Sequence, residues 1–319
     1  MSPSVRQWLV CGSASSTRDA PFDTKCLVRG SMTSATIIIP ARNESATIEG
    51  CLRALLASAE PGEFEVIVVC NGCTDSTAAL ARRFSAVRVI ELEAPSKPAA
   101  LNAGDRAACA SPRIFVDADI EVDTKSVRAL VHSLAQGGAL VASPRPRLDL
   151  SCSSRAVRLF YSVWSRLPYF TRGPIGAGVY AVSEVGRARF DQFPNLISDD
   201  GFIERTFRPE ERASVAGASM VIRTPPNLRS LIRIEARRRA GFRQLEAFGL
   251  AGHSPQSRGQ RQGLILLAAN PFRWPAIAVY LVVRLAAGWL ARGTQLAPSW
   301  TREGALPHAV SRLNHQRGS

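Results

Sequence analysis

Paired carboxylates stand at two places in this chain where their spacing could support chemistry. Asp117 and Asp119 follow the apolar run 114–116, and side chains two residues apart in an extended strand point to the same side. Such a pair can share a hard divalent cation with the phosphates of a substrate. A solvated acidic turn is the alternative, because Glu121 and Asp123 follow closely.

The second pair is Asp199 and Asp200, directly before Gly201. Two adjacent carboxylates repel each other, and one that faces a cleft can serve as a general base. Ser198 or Asp199 can also cap a helix over residues 202–207. The two interpretations are compatible, because neighbouring residues can divide the roles.

Four apolar runs predict the strands that would position these side chains, at residues 36–39, 64–69, 87–92 and 113–116. Helical spacing begins near Ile48, Thr74 and Pro98, between successive strands. Continuous apolar strands that alternate with helices are typical of a parallel sheet covered on both faces. The sequence therefore predicts an α/β fold with its ligands beyond the carboxyl ends of the strands.

Polar clusters stand where that edge is expected. They are residues 40–44, 70–75 and 117–119 after three strands, and residues 96–104 at the start of a helix. The last cluster includes Lys97, which a helix start could place near a phosphate. The four clusters are expected to converge on one edge of the sheet.

Taken together, these residues resemble family 2 glycosyltransferases of the GT-A fold. The resemblance runs from about Ala35 to Gly249 and rests on several short elements in order. They are residues 39–44, 69–75, Lys97 with 101–104, 117–119, 176–178 and 199–200. It implies a Rossmann-like, mostly parallel central sheet with helices on both faces, in a catalytic domain over residues 35–250.

The resemblance also implies how a nucleotide-sugar donor would be held. The residues expected at the nucleoside are Pro40, Ala41, Arg42, Glu44, Asn71 and Asp75. Asp119, with Asp117 nearer the ribose, is expected to bind Mn²⁺ or Mg²⁺ through the donor diphosphate. Lys97 is expected at the phosphates, and Arg238 or Arg239 is expected to close over the leaving diphosphate.

The reaction that the resemblance implies is inverting transfer of a sugar to an acceptor hydroxyl. Asp200, with Asp199 beside it, is expected to supply the catalytic base.

The sequence departs from the family's pattern at two places. Cys70 stands where many relatives have an acidic residue, and residues 237–242 lack the tryptophan of the processive synthases. The second departure favours transfer of a single sugar over polymerisation.

Residues 176–181 also match the dinucleotide pattern G-x-G-x-x-A. The context is wrong for a nicotinamide site, because the residues before Gly176 do not read as a strand. Residues 179–182 after the pattern read as extended chain, where that motif requires a helix.

Composition adds a charge asymmetry. The chain has 319 residues and a net charge of +14, with 46% hydrophobic residues, which excludes a disordered protein. Residues 1–200 carry 22 basic and 20 acidic side chains, whereas residues 201–319 carry 18 arginines and six glutamates. The basic half predicts a polyanionic partner, either phosphates or an acidic membrane.

The termini give the remaining expectations. Residues 1–34 read as a flexible extension with no secretory core, and seven cysteines without a signal peptide favour a reduced, cytoplasmic protein.

Residues 251–319 read as a basic, partly apolar helical tail with apolar runs at 264–269 and 276–290. The interpretation that fits best is a helix in the membrane interface, peripheral at the inner face of the cell membrane. A spanning helix and a tail packed on the domain or on a second subunit are the alternatives.

Two other function classes stay open at this stage. A sugar nucleotidyltransferase of related fold would need a glycine-rich loop after the first strand, and residues 40–44 contain no glycine. A non-catalytic basic module that binds membrane or nucleic acid would need readout residues on a known motif, so nucleic acid is not expected as a partner. The acceptor, whether a glycan, a lipid-linked molecule or a small molecule, is not specified.

Overall fold

The computed structural model describes residues 33–171, 177–250 and 256–293. The predicted extension 1–34 therefore lies outside the described residues, except for its last two positions. One eight-stranded sheet forms the centre. Its strands are β1 Ala35–Ala41, β2 Phe64–Asn71, β3 Val87–Leu92, β4 Arg113–Val116, β5 Glu121–Val122, β6 Val141–Asp149, β7 Val179–Val182 and β8 Arg212–Arg223.

The strand order is β3-β2-β1-β4-β7-β6-β8-β5. The first four strands are parallel to one another, and β6 is parallel to β8. Strand β7 runs antiparallel to β4 and β6, and β5 runs antiparallel to β8. The sheet is thus mixed and mostly parallel, as the sequence predicted. The carboxyl ends of β1, β2 and β4 meet at one edge.

Eleven α-helices occur among the described residues. They are α1 Ile48–Leu56, α2 Thr77–Ala81, α3 Lys97–Ala107, α4 Thr124–Ala135, α5 Arg155–Trp164, α6 Pro168–Thr171, α7 Glu184–Arg187, α8 Asp199–Thr206, α9 Leu228–Ala247, α10 Gln256–Ala268 and α11 Trp274–Gly293. Short 3-10 turns lie at Pro209–Glu211 and Pro271–Arg273. The predicted β3 and β4 match the structure exactly, and the helix expected from Thr74 begins at Thr77.

The core lies on both faces of the sheet because the buried strands alternate their side chains. In β1, Ile37 and Ile39 pack into the cluster that includes α1 and α4, whereas Ile38 packs into the cluster with Phe115 and Tyr180. All seven residues of β1 are buried. Helix α3 packs closely on this strand, since a Cβ at Gly104 would lie 2.5 Å from Ile38 Cγ2. This packing fixes the start of α3 beside the carboxyl ends of the strands.

The C-terminal helices pack on the rest of the chain with one face. Helix α11 contacts α5 and α9, and the ring of Tyr280 stacks on Phe160 with centroids 5.2 Å apart. Within the described residues, the segment Pro271–Arg292 is long and apolar enough to cross a membrane, with a third of its most apolar window buried in the protein.

The described cysteines differ in state. Cys51, Cys70, Cys73 and Cys152 are free thiols. Cys109 is disulfide-bonded, so the expectation of a fully reduced chain is wrong at this position.

Candidate active site

The first carboxylate pair lies at the carboxyl end of β4. The backbone N–H of Asp117 donates to the carbonyl of Gly178 at 2.8 Å, which ties this turn to the start of β7. Gly178 has φ +90°, and a Cβ there would lie 3.1 Å from Asp117 Oδ2 and 3.0 Å from Ile120. A side chain at 178 would therefore press on the Asp117 carboxylate. Asp119 is half-buried two residues further on.

Lys97 joins the two carboxylate pairs that the sequence presented separately. Its Nζ lies 2.6 Å from Asp117 Oδ1 and 2.8 Å from Asp199 Oδ1. Ser96 caps α3 by accepting from the Ala99 N–H at 3.2 Å, and this cap fixes where Lys97 begins the helix. The ammonium group is thus shared between the ends of β4 and the start of α8.

Asp199 is the enclosed member of the second pair. Its side chain is 7% exposed, and its Oδ2 accepts from the Tyr180 hydroxyl at 3.0 Å. Tyr180 lies in β7 opposite Phe115, and their rings stack at 5.1 Å. Tyr180 was not among the site residues predicted from the sequence. A tyrosine in an otherwise apolar strand was the available signal, because a buried hydroxyl normally has a partner.

Asp200 is held differently. Its Oδ1 accepts from Ser198 Oγ at 2.5 Å and from the Gly201 N–H at 2.6 Å. No partner in the described part of the chain contacts its Oδ2. Ser198 also caps α8 by accepting from the Gly201 N–H at 3.2 Å, so the predicted helix cap is confirmed, and the predicted role of this segment as a base stays a prediction. Asp200 therefore presents one carboxylate oxygen, whereas both oxygens of Asp199 are engaged.

Charge and burial act against each other in this cluster. The pKa of Asp117 is raised to about 6, mainly by burial and also by Asp199 and Asp119, while Lys97 opposes this rise. Burial lowers the pKa of Lys97, but Asp117 and Asp199 outweigh that effect and raise it above its usual range. Lys97 therefore remains charged at neutral pH. One ammonium group here contacts two carboxylates.

The loops after β1 and β2 are braced together. Asn71 is fully buried; its Nδ2 donates to the Ala41 carbonyl at 3.0 Å, and its Oδ1 accepts from the Ser96 N–H at 3.1 Å. Asp75 Oδ2 accepts from the Ser45 N–H at 3.1 Å. These bonds join the ends of both strands to the start of α3.

Asn43 adds a second link between these loops. It has φ +53°, and its Oδ1 accepts from the Thr74 N–H at 2.8 Å. Asparagine tolerates this left-handed conformation better than most residues. Asn43 and Ser96 lie in the predicted polar clusters, but the contacts by which they brace these loops were not predicted from the sequence.

The structure brings the expected nucleoside residues to this edge. Pro40 and Ala41 end β1, Arg42 is half-buried beyond them, and the buried Glu44 accepts from Thr47 Oγ1 at 2.7 Å. Their contacts with a nucleoside stay a prediction.

The two arginines expected over the diphosphate lie on α9. The Arg238 guanidinium lies over the rings of Trp164 and Phe242, at 5.5 and 5.8 Å from their centroids. The Arg239 guanidinium lies against Gly288 of α11. The structure does not bring Arg239 to the carboxylate cluster, and the role of both arginines at the diphosphate stays a prediction.

The donor atoms at the end of β4 fit a hard divalent cation. Burial is the main cause that raises the pKa of the Cys51 thiol. The carboxylates Asp119, Glu121, Asp117 and Glu44 raise it further, so the surroundings of this thiol beside β4 are negative. Among residues 33–171, 177–250 and 256–293, no group of three or more His, Cys, Asp or Glu side chains could hold a metal alone. Two carboxylates completed by substrate phosphates are a usual arrangement for Mg²⁺.

Solved structures share this architecture. The chain superimposes on a mannosyltransferase of Pyrobaculum calidifontis, solved with GDP-Man and Mn²⁺, with a TM-score of 0.57, 23% identity and 84% of each chain covered. It also superimposes on glucosyl-3-phosphoglycerate synthase of Mycobacterium tuberculosis, with a TM-score of 0.51 and 23% identity over 67% of this chain and 78% of that one. The fold is therefore the GT-A fold of glycosyltransferases.

Sequence comparison adds a family match for part of the chain. Residues 36–181 match the model for glycosyl transferase family 2, so this part of the chain is a family 2 glycosyltransferase domain. An uncharacterised glycosyltransferase of Mycobacterium tuberculosis is 33% identical over 110 residues, which are 34% of this chain and 48% of that protein. The 4,4'-diaponeurosporenoate glycosyltransferase of Staphylococcus aureus is 30% identical over 165 residues, 50% of this chain and 41% of that protein. The chain spans about half or less of the length of these curated relatives.

These findings decide between the classes left open by the sequence. The family domain favours a glycosyltransferase over a nucleotidyltransferase or a non-catalytic module. Residues 179–182 form strand β7, so the glycine pattern before them does not open the helix that a dinucleotide site requires.

Proposed function

We propose that this protein transfers a single sugar from a nucleotide-sugar donor to an acceptor hydroxyl, with inversion at the anomeric carbon and with a divalent cation. The observation that carries the proposal is the juxtaposition of Lys97, Asp117, Asp199 and Asp200 beyond the carboxyl ends of the strands. Open α/β sheets bind ligands at this edge.

Donor binding is assigned to the braced loops and the β4 turn. The nucleoside is placed between residues 40–44 and 71–75, and the diphosphate is placed at Asp117 and Asp119. The relatives' donors, GDP-Man and UDP-Glc, contain different bases, and this difference leaves the base and the sugar of this chain's donor open. Mn²⁺ or Mg²⁺ would be held by Asp119 and Asp117, and when bound it supplies Lewis-acid neutralisation of the leaving diphosphate.

Lys97 has a defined part in this proposal. Without a donor, its ammonium group neutralises Asp117 and Asp199 across 2.6 and 2.8 Å. With a donor, the same group stands beside the diphosphate and offers N–H donors to its oxygens. The Asp199–Tyr180 hydrogen bond keeps the lysine at the edge of the site.

Asp200 is the proposed general base. Its Oδ1 is fixed by Ser198 and Gly201, and this leaves Oδ2 to accept the proton of the attacking hydroxyl. Asp199 is proposed as the positioning partner, because Lys97 and Tyr180 already engage both of its oxygens.

The acceptor and the cellular location form a finer part of the proposal. Among the relatives, one is named for phosphoglycerate and one for diaponeurosporenoate, so the family accepts chemically distant acceptors. We place this protein on the cytoplasmic side of the cell membrane, peripherally bound.

The test of the proposed base is Asp200→Asn. Asparagine keeps the shape of the side chain but cannot take the proton, so turnover should fall by ~10²-fold or more while the donor still binds. The donor is first found by thermal-shift screening of UDP-, GDP- and dTDP-sugars with Mn²⁺, because a bound ligand raises apparent stability. The exposed Asp191→Asn is the matched control. Turnover of Asp200→Asn within about threefold of the parent would exclude Asp200 as the base.

A further inference from the structure

Helix α11 exposes a continuous apolar face. The residues that form it lie on one side of the helix, and they are Trp274, Leu281, Val282, Leu285 and Trp289, exposed by 61%, 45%, 61%, 74% and 77%. At ~1.5 Å per residue the face is about 22 Å long. We call these five residues the α11 face. A soluble monomer rarely exposes so long an apolar stripe.

The opposite side of α11 is buried in the protein. Ala276, Tyr280, Val283, Ala287 and Ala291 are each at most 6% exposed and pack towards α5 and α9. A helix half-covered by its own domain along its whole length cannot present apolar side chains to lipid on all sides. This geometry favours a helix that lies along a bilayer surface over one that crosses it.

The segment before α11 extends the exposed apolar surface. Phe272 is 93% exposed in the turn that leads into the helix, and Ile265 and Leu266 are exposed near the end of α10. Large apolar and aromatic side chains therefore occupy both helices and the turn between them. Tryptophans stand near both ends of the α11 face, as in proteins that sit at the interface of a membrane.

The chain segment that carries this surface has charges of one sign. No Asp or Glu occurs between Glu246 and Glu303, whereas six arginines do. Arg261 and Arg292 are exposed, and Arg273 is half-buried. The Arg239 guanidinium lies against Gly288, directly beside Trp289 in the chain, and its Nε is buried without a hydrogen-bond partner in the described structure.

We propose that the α11 face docks on an anionic lipid bilayer, with α11 parallel to the membrane plane and the flanking arginines among the headgroup phosphates. The apolar side chains supply the burial, and the one-signed charge selects an anionic surface. The inference rests on the peripheral membrane binding in the proposed function and assigns it a specific surface. A second copy of the chain would cover the same face without needing the arginines.

The experiment is co-flotation of the full-length protein with phosphatidylcholine vesicles, with and without phosphatidylglycerol. The parent protein should float with the phosphatidylglycerol vesicles and much less with phosphatidylcholine alone, and high salt should weaken the binding. The triple variant Leu281→Ser, Leu285→Ser, Trp289→Ser should bind about 1,000-fold more weakly, because each of the three large side chains contributes on the order of tenfold. The exposed Val185→Ser on α7 is the matched control and should bind like the parent.

A second variant tests the charge. Arg261→Glu with Arg292→Glu should lose the preference for phosphatidylglycerol while keeping the α11 face intact. Parent and triple variant should both retain the thermal shift with donor and Mn²⁺. That readout separates a failure of docking from a failure of the proposed catalytic function.

Three results would overturn the proposal. Equal flotation of the parent and the triple variant would exclude the α11 face. Resistance of the parent to extraction from membranes by alkaline carbonate would indicate a spanning helix. A dimer of the parent in lipid-free sedimentation that the triple variant abolishes would assign the face to a second copy of the chain.

Discussion

Two buried acids, Asp199 at the site and Glu235 on α9, lie in opposite electrostatic surroundings. Asp199 is paired with Lys97 at 2.8 Å, but Asp117 lies 2.6 Å from the same lysine, so two acids share one cation. Glu235 is paired with Arg284 at 2.8 Å and Arg238 at 3.8 Å, with Arg239 close by, so cations outnumber the acid.

This difference shows which sign of charge each region has in excess. A buried charge is tolerated when it is paired, and an excess of one sign attracts the other. The strand edge has an excess of carboxylates, which suits a divalent cation and its donor. The α9–α11 region has an excess of guanidinium groups beside an apolar face, which suits anionic headgroups. The charge asymmetry of the sequence is thus resolved into two local imbalances.

The largest expected effect on stability comes from replacing Lys97, and the matched change in the other region replaces Arg284. Lys97→Met leaves Asp117 and Asp199 facing each other without a counter-charge, and we expect a loss of about 3 kcal/mol in the free energy of unfolding. Arg284→Met should cost only about 1 kcal/mol, because Glu235 retains Arg238. Denaturant unfolding of both variants with the parent measures the difference.

One control sharpens this comparison. Arg128→Met breaks an exposed ion pair with Glu63 and should leave the denaturation midpoint close to that of the parent, because exposed ion pairs add little to stability. Equal losses for Lys97→Met and Arg284→Met would show that the two regions hold their buried acids in the same way, and the comparison would fail.

Much of the fold could be predicted from the sequence because its signals are local. The strands at 87–92 and 113–116 are short apolar runs with polar neighbours, and they match the structure exactly. The order of the second half of the sheet could not be predicted. Strand β7 is inserted antiparallel between β4 and β6, and this pairing depends on tertiary contacts between distant residues.

The candidate site divides in the same way. Asp117, Asp119, Asp199 and Asp200 were found because carboxylates next to strand and helix ends are visible in a sequence. Their connection through Lys97 was not visible, since it joins positions about a hundred residues apart. The hydrogen bond of Tyr180 to Asp199 and the contact of Gly178 with Asp117 were hidden for the same reason, because each joins residues of different elements.

A pair of tyrosines gives the next expected effect. Tyr180→Phe removes the hydroxyl that donates to buried Asp199 and should cost about 1–2 kcal/mol, because it leaves a buried carboxylate oxygen without that partner. Tyr280→Phe is the matched change in the basic region. The Tyr280 hydroxyl makes no hydrogen bond within the described chain, so its loss should stay within about 0.5 kcal/mol.

Donor binding adds a second measurement to the Tyr180 variant. If Tyr180 holds Asp199 and Lys97 in place, Tyr180→Phe should also weaken the donor-dependent thermal shift, whereas Tyr280→Phe should leave it unchanged. A stable Tyr180→Phe protein with unchanged donor binding would contradict the positioning role of this hydrogen bond.

Two cysteines, Cys51 and Cys73, test the strand-edge side of the comparison and give the smallest expected effect. Burial and the carboxylates Asp119, Glu121, Asp117 and Glu44 raise the pKa of the Cys51 thiol. The hydrogen bond from Cys70 lowers the pKa of the Cys73 thiol to about 6, against the effect of burial.

Because only the thiolate reacts, alkylation of Cys73 by iodoacetamide should rise through about pH 6 and level off above it, while Cys51 stays unmodified in the folded protein. Peptide mass spectrometry across this pH range measures both sites in one sample. Cys70→Ala should move the Cys73 midpoint to higher pH, since the hydrogen bond that stabilises the thiolate is lost. A midpoint unchanged by Cys70→Ala would assign the low pKa of Cys73 to the backbone hydrogen bonds of residues 43 and 71 instead.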